Sequence, residues 1–316
     1  MAHEVETMAY AGELPWHGLG VKVPGDLTPE QMLKKADLDW TVEKIPAFIE
    51  ISNADTFGYD GLRVATGQSA LVRSSDNSIL SNVSDGWEPV QNSEAFDFFH
   101  EFVMAGDMDM HTAGSLKNGT IVWALAKINK SFELFGKDKI DSYLLFSNPH
   151  IYGRCIDVRF TPIRVVCNNT LTLSLRKKGD LMIRLNHRKA FDPAFVKETL
   201  GLAQDQMETY KEVGQFLGSK RYTEETLTNF MRDVFPGTGK SIISRPAERA
   251  LEIVETQPGA EFAPGTFWNA FNAITFLADH ELGHSEDTRL TSSWYGINRD
   301  RKNNALKKAV EYAEAS

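Results

Sequence analysis

Extended-strand patterning dominates the first 190 residues of this chain, with only short helical stretches among it, and helical patterning fills the rest. A doubly wound parallel sheet needs strand and helix to alternate, so this order excludes it. It predicts an α+β fold, with an antiparallel, strand-rich N-terminal part and a helical C-terminal part. The division falls between residues 1–190 and 191–316, at the Asp192-Pro193 pair that can cap and open a helix. Gly61–Arg73 and Ile79–Pro89 carry the apolar patches and Ser/Asp/Asn/Gly punctuation of antiparallel hairpins, and Trp40–Ile51 reads as extended. Thr28-Pro29-Glu30 opens a short helix, and Ser93 can cap a second over Glu94–Met104. Further strands are expected at Gly119–Ile128, Ser142–Ser147, Arg154–Phe160, Ile163–Cys167 and Leu181–Asn186. A short helix is expected over Thr170–Lys178, stopped by Gly179. Helices follow at about Ala194–Leu217, Glu224–Phe235, Pro246–Glu255, Thr266–His280 and Arg299–Glu314.

Composition narrows the class without naming a function. Of 316 residues, 42% are hydrophobic and 24% charged, which suits a globular chain with a substantial core. No stretch approaches a membrane span, no secretory leader is apparent, and the two cysteines, Cys155 and Cys167, suit a reducing cytoplasm.

Charge is unevenly spread. The formal net charge is −9, yet residues 151–190 carry nine basic side chains against Asp157 and Asp180. The nine are Arg154, Arg159, Arg164, Arg176, Lys177, Lys178, Arg184, Arg188 and Lys189. In Arg154–Phe160 the side chains alternate, with Ile156, Val158 and Phe160 on one face and Arg159 on the other. Arg159 and Arg184 therefore share the outward phase of their strands. An acidic protein with one basic stripe attracts a polyanion only along that stripe, and arginine suits phosphate forks. The competing reading is a solvated face with counter-ions.

Three other constellations bear weighing. His280-Glu281-Leu282-Gly283-His284 matches the H-E-x-x-H helix of zinc peptidases, with His280 and His284 as ligands and Glu281 as base. No third ligand is marked, since Asp287 and Leu290 stand where the extended motif needs Gly and His. The competing reading is a helix end in solvent. Gly237-Thr238-Gly239-Lys240-Ser241 resembles half of a phosphate-binding loop, but Val234 replaces its first glycine and a helix precedes it. A glycine-rich turn between helices is the better expectation. Cys155 and Cys167 with His150 or His187 match no standard zinc spacing.

Several segments resemble the phage/plasmid-like proteins defined by a domain of unknown function. They are Met8-Ala9-Tyr10, Pro15-Trp16-His17-Gly18-Leu19-Gly20, Ser84-Asp85-Gly86-Trp87-Glu88-Pro89-Val90-Gln91-Asn92, Ala113-Gly114-Ser115-Leu116, Phe160–Leu171 and Trp268–Thr275. The resemblance implies a mobile-element protein acting in a bacterial cytoplasm and brings no catalytic residues. Such elements commonly encode single-strand annealing proteins, which are α+β and hold DNA in a basic groove as rings or filaments. The resulting expectation is a non-enzymatic, homo-oligomeric, single-stranded DNA-binding and annealing protein. It would need no cofactor, bind no membrane, and hold phosphates on the basic stripe. The rival expectations are a zinc peptidase and an interaction protein that blocks a host factor through its acidic N-terminal surface.

Overall fold

Four long strands, β6 (Met108–Leu116), β7 (Ile121–Leu134), β8 (Asp138–Pro149) and β9 (Ile156–Arg164), form an antiparallel meander in the computed structural model. Described are residues 4–13, 15, 18–51, 62–166, 169–170, 173–174, 176–177, 181–182, 184–185, 193–237, 243–283 and 285–316. The start of β7, Ile-Val-Trp-Ala-Leu-Ala, is buried on both sides, which a two-sided apolar strand requires. β1 (Val5–Ala11) joins β6 antiparallel, and β2 (Val21–Val23) lies parallel to β1. The close approach of β1 depends on Gly114, where a Cβ would sit 2.4 Å from the Thr7 carbonyl oxygen. A separate antiparallel sheet comprises β3 (Val42–Ile51), β4 (Leu62–Arg73) and β5 (Ile79–Ser84).

α1 (Pro29–Lys35) starts as expected: Thr28 caps it through the Gln31 amide and Pro29 occupies its first turn. The helix expected over Glu94–Met104 is instead two pieces, α2 (Asn92–Asp97) and α3 (His100–Met104), and its capping box pairs Gln91 with Glu94. Phe96, Phe98, Phe99 and Phe102 are all buried. A straight helix would place Phe98 about 200° from Phe96; here Phe98 lies at the junction of the two pieces, and both rings are buried.

The expected helix over Thr170–Lys178 is corrected. β10 (Asn169–Thr170), β11 (Leu173–Ser174) and β12 (Arg176–Lys177) are extended. Thr170-Leu171-Thr172-Leu173-Ser174-Leu175 alternates with period two and carries β-branched threonines, a strand pattern that also finds a partner edge in β9. Arg154–Phe160 and Ile163–Cys167 are not two strands either: β9 runs from Ile156 through Pro162, which stands opposite Ser142. Cys167 lies outside the described residues.

The helical part follows the expected order: α4 (Pro193–Ser219), α5 (Glu224–Val234), α6 (Arg245–Ile253), α7 (Phe267–Phe276), then α8 (Glu286–Tyr295) and α9 (Ile297–Glu314). α8 was not expected, because Ser and Thr dilute its few apolar positions. α4 packs on β7 and β9, and α7 is buried along almost its whole length. One core therefore joins Val122, Ala124, Phe146, Val158 and Phe160 of the sheet to Phe267, Trp268 and Phe271 of α7. The opposite face of the sheet holds a smaller cluster, in which Trp123, Leu125, Tyr143 and Leu145 meet Leu290 and Trp294 of α8. No helix among the described residues is long and apolar enough to cross a membrane.

Candidate nucleic-acid interface

β9 has β8 on one edge and an interrupted strand on the other. The chain runs antiparallel to β9 through β10 and β11, with Leu173 opposite Phe160 and Ser174 opposite Arg159. It then leaves as a two-stranded ribbon in which β12 pairs with β13 (Leu181–Met182), Arg176 opposite Met182 and Lys177 opposite Leu181. It rejoins β9 as β14 (Arg184–Leu185), with Arg184 opposite Asp157. Among the described residues the ribbon pairs only with itself. Arg176, Lys177 and Arg184 are thus carried on or beside a basic ribbon at the edge of the sheet. Lys178, Arg188 and Lys189 lie outside the described residues. Arg154 precedes β9 and is exposed.

Two of the nine expected phosphate contacts are corrected. Arg159 has the predicted phase, opposite to Ile156, Val158 and Phe160, but α8 covers that face. Its guanidinium donates to both carboxylate oxygens of Asp157 (3.2 and 2.6 Å) and to the Trp294 carbonyl, 5.8 Å from the Tyr295 ring. Arg164 is buried more deeply. Its Nε donates to Asp138 at 2.7 and 2.9 Å, and its remaining nitrogens donate to the Pro258 and Gly259 carbonyls at 3.1 and 2.8 Å. Gly259 sits at φ +80°, and a Cβ there would lie 2.6 Å from the Arg164 guanidinium. Both arginines are neutralised by internal carboxylates, which leaves them no role at the surface.

On the smaller-cluster face of the main sheet lies a cavity of about 470 Å³ that the sequence did not announce. Buried Thr170 of β10 lines it, and Leu125, Tyr143 and Trp294 contribute its apolar walls. His111 comes from a β-bulge, the register of β6 against β7 shifting between Met110 and Thr112. Bulges re-aim a side chain, and this imidazole meets the Tyr143 ring edge-on at 5.0 Å. Burial, then the charge of Lys127, pushes the His111 pKa down to about 4, so the ring is neutral at pH 7. Its Nδ1 is buried without a hydrogen-bond partner among the described residues. Lys127 donates to Asp141 at 2.6 Å and Lys139 lies 3.7 Å from the same carboxylate. The only sequence signal for this group was a set of polar residues interrupting three apolar strands; strand pairing alone brings them together.

The zinc-helix reading is overturned by backbone geometry. α7 passes into a π-helical turn, Leu277–Glu281, after which Leu282 is extended (φ −82°, ψ 134°). The helix therefore ends before residue 284, and the one-turn spacing that would align His280 with His284 is lost. Glu281 is engaged by Arg249 at 2.8 and 3.0 Å, which holds its carboxyl below the usual range and makes it a weaker base. His280 stacks on Phe276 at 4.6 Å; His284 lies outside the described residues. This is the helix end that the sequence also allowed. The glycine-rich stretch around residue 237 falls between α5 and α6 as an interhelical connection, with residues 238–242 outside the described set. His150 is fully buried on Asn92 while Cys155 is exposed, so they do not form a reactive pair, and His187 lies outside the described residues.

No curated protein and no solved structure matches the chain. A domain of unknown function, DUF932, matches residues 79–309. That span begins in β5, contains the meander, the ribbon and the cavity's bulged histidine, and ends in α9. Because the match covers well over half of its length, the chain belongs to the DUF932 family.

Proposed function

We propose that this protein is a non-enzymatic single-stranded DNA-binding and annealing protein of a phage or other mobile element, acting as a homo-oligomer in the bacterial cytoplasm. The observation that carries the reading is the self-paired basic ribbon at the edge of the main sheet in an otherwise acidic chain. With Arg159 and Arg164 withdrawn into internal pairs, Arg154, Arg176, Lys177, Lys178, Arg184, Arg188 and Lys189 remain in the segment, whose sequence holds only two acids, Asp157 and Asp180. Two-stranded ribbons are established carriers of nucleic-acid contacts, and cations on them bind phosphate through counter-ion release. The sign pattern favours one orientation, since the acidic first 150 residues repel the same polyanion.

Fluorescence anisotropy with a labelled oligonucleotide tests the reading. Affinity is expected to fall with salt at a log–log slope of about −0.7 per phosphate neutralised. The triple variant R176E/K177E/K178E is expected to abolish binding with an unchanged unfolding midpoint, and the wild type to accelerate pairing of complementary strands. Binding that is insensitive to salt, or untouched by the triple variant, would overturn the assignment. Electron microscopy with and without oligonucleotide checks the oligomer.

A further inference from the structure

We infer that the outer face of the sheet formed by β3, β4 and β5 is where two copies of this chain pack against each other. The inference rests on the homo-oligomeric part of the proposed function and gives that oligomer a contact surface. Strand register separates the two faces of this sheet. Val42, Leu71 and Val83 lie on one face and are buried in the main core. On the other, Ala70 stands opposite Ile45, Val64 opposite Ile49, and Ile79 opposite Val72. A half-solvated antiparallel sheet alternates apolar residues inside with polar ones outside. Here the outward positions are apolar as well, and Ile45, Ile49, Val64 and Ile79 are between 43% and 67% exposed. A contiguous apolar patch of this kind marks a surface that another molecule covers.

The charge pattern selects the occupant. Glu43, opposite Val72, is the one charged residue on this face among those described, so the face offers no cation to a polyanion. It is instead complementary to itself, as a two-fold contact requires. Antiparallel packing across such an axis puts the two Glu43 carboxylates at opposite ends of the contact. The eight residues from Glu43 to Ile51 then hold them about 26 Å apart, beyond the ~8 Å screening length. Twisted sheets stack face to face at about 10 Å, with strands within about 30° of each other. β3 runs about 33 Å and the three strands span about 14 Å at their widest. With its protruding side chains the face can therefore supply most of the about 800 Å² that each partner of a stable pair covers. Pro46 and the bulge beside it interrupt the free edge of β3, which blunts edge-to-edge addition of another strand and leaves the face as the contact.

Sedimentation velocity over a range of protein concentrations tests this with the wild type, I45E/I49E, I45K/I49K and Ile297→Lys, a control at an exposed apolar position on α9. The wild type and the control are expected to associate alike. Each charged double variant should raise the dissociation constant at least about tenfold, because like charges then meet across the contact. An equimolar mixture of the two should recover part of the association, which a misfolded variant cannot do. At dilutions where the copies are separate, circular dichroism and urea midpoints should match the wild type. Should either charged variant unfold, I45T/I49T, which keeps β-branched side chains, replaces it and is expected to weaken association as well. Undiminished association of the folded variants overturns the inference and leaves the homo-oligomer standing on another surface. A wild type that stays monomeric at every concentration overturns both and leaves the face to a different protein. DNA binding by the basic ribbon, read by anisotropy, is decided separately from either result.

Discussion

Three arginines that look alike in the sequence do different work at the residue scale. Arg154 is exposed, Arg159 is closed off by α8, and Arg164 is buried against the fully buried Asp138. Arg164→Met would leave the Asp138 carboxylate with the Trp268 indole N–H as its remaining hydrogen-bond donor in the described contacts. An uncompensated buried charge of that kind costs about 3–5 kcal/mol, which urea unfolding should register. Arg154→Met should stay within about 0.5 kcal/mol of the wild type in the same assay. Charge density picks out the segment, but it does not distinguish a guanidinium held by the fold from one held out to solvent. Burial against Asp138, 26 residues away along the chain, makes that distinction.

His111 adds a pH signature at the same scale. Lys127, Asp141 and Tyr143 surround it, and its pKa falls from 6.5 to about 4 on folding. The unfolded chain therefore takes up a proton before the native one does. Stability is full above about pH 6.5 and declines as pH falls towards about 4, by up to ~3 kcal/mol. Urea midpoints at neutral pH and near pH 4 should show this loss in the wild type and a smaller one in His111→Leu. No pattern in the sequence pointed to this residue, because a bulge is a mismatch between two strands and belongs to neither alone.

At the scale of elements, local signals succeeded where one residue's chemistry decides the outcome. The expected Thr28 cap of α1 forms through the Gln31 amide, and Thr223 and Ser244 cap α5 and α6 in the same way, whereas Ser93, also expected as a cap, lies inside α2, which Gln91 opens. They failed where neighbours decide. Asn169–Thr170 and Leu173–Ser174 are extended because β9 offers an edge, and α8 forms because Leu290 and Trp294 find Trp123 and Tyr143 beneath them. The β3–β4 hairpin is the opposite case: beyond Val42 it is largely solvated, with Phe48 and Ile49 57% and 60% exposed. Replacing both with serine should move the unfolding free energy by no more than about 0.5 kcal/mol, since little apolar area leaves contact. Chemical denaturation followed by circular dichroism checks this.

One polar clip spans the whole molecule. Lys302 of α9 is fully buried and donates to Asp279 of the π-helical turn, to Ser293 of α8 (2.8 Å) and to Thr170 of β10 (3.1 Å). Asp279 also accepts from the Thr170 amide at 2.7 Å. The clip ties the strand that leads into the ribbon to three helical elements and so holds α8 over the smaller cluster. Lys302→Met should cost about 3–5 kcal/mol by stranding Asp279, and should shift tryptophan emission to the red as Trp294 loosens. The double variant Lys302→Met with Asp279→Leu should recover part of that loss. Since one core joins the sheet to the helices, unfolding should be a single cooperative transition with coincident fluorescence and circular dichroism curves.

The amino-acid order by itself determined the α+β class, the sites of most strands and helices, the Thr28 cap, and the concentration of positive charge in residues 151–190. These depend on periodicity, capping chemistry and charge, all of which are local along the chain. Only the tertiary structure decided which arginines are withdrawn into ion pairs, that Asn169–Thr170 and Leu173–Ser174 pair with β9, that the zinc-like helix stops short, and that a bulged histidine lines a cavity. Each of those outcomes depends on groups far apart in sequence sharing one dielectric environment or one hydrogen-bonding edge, and no local pattern encodes that.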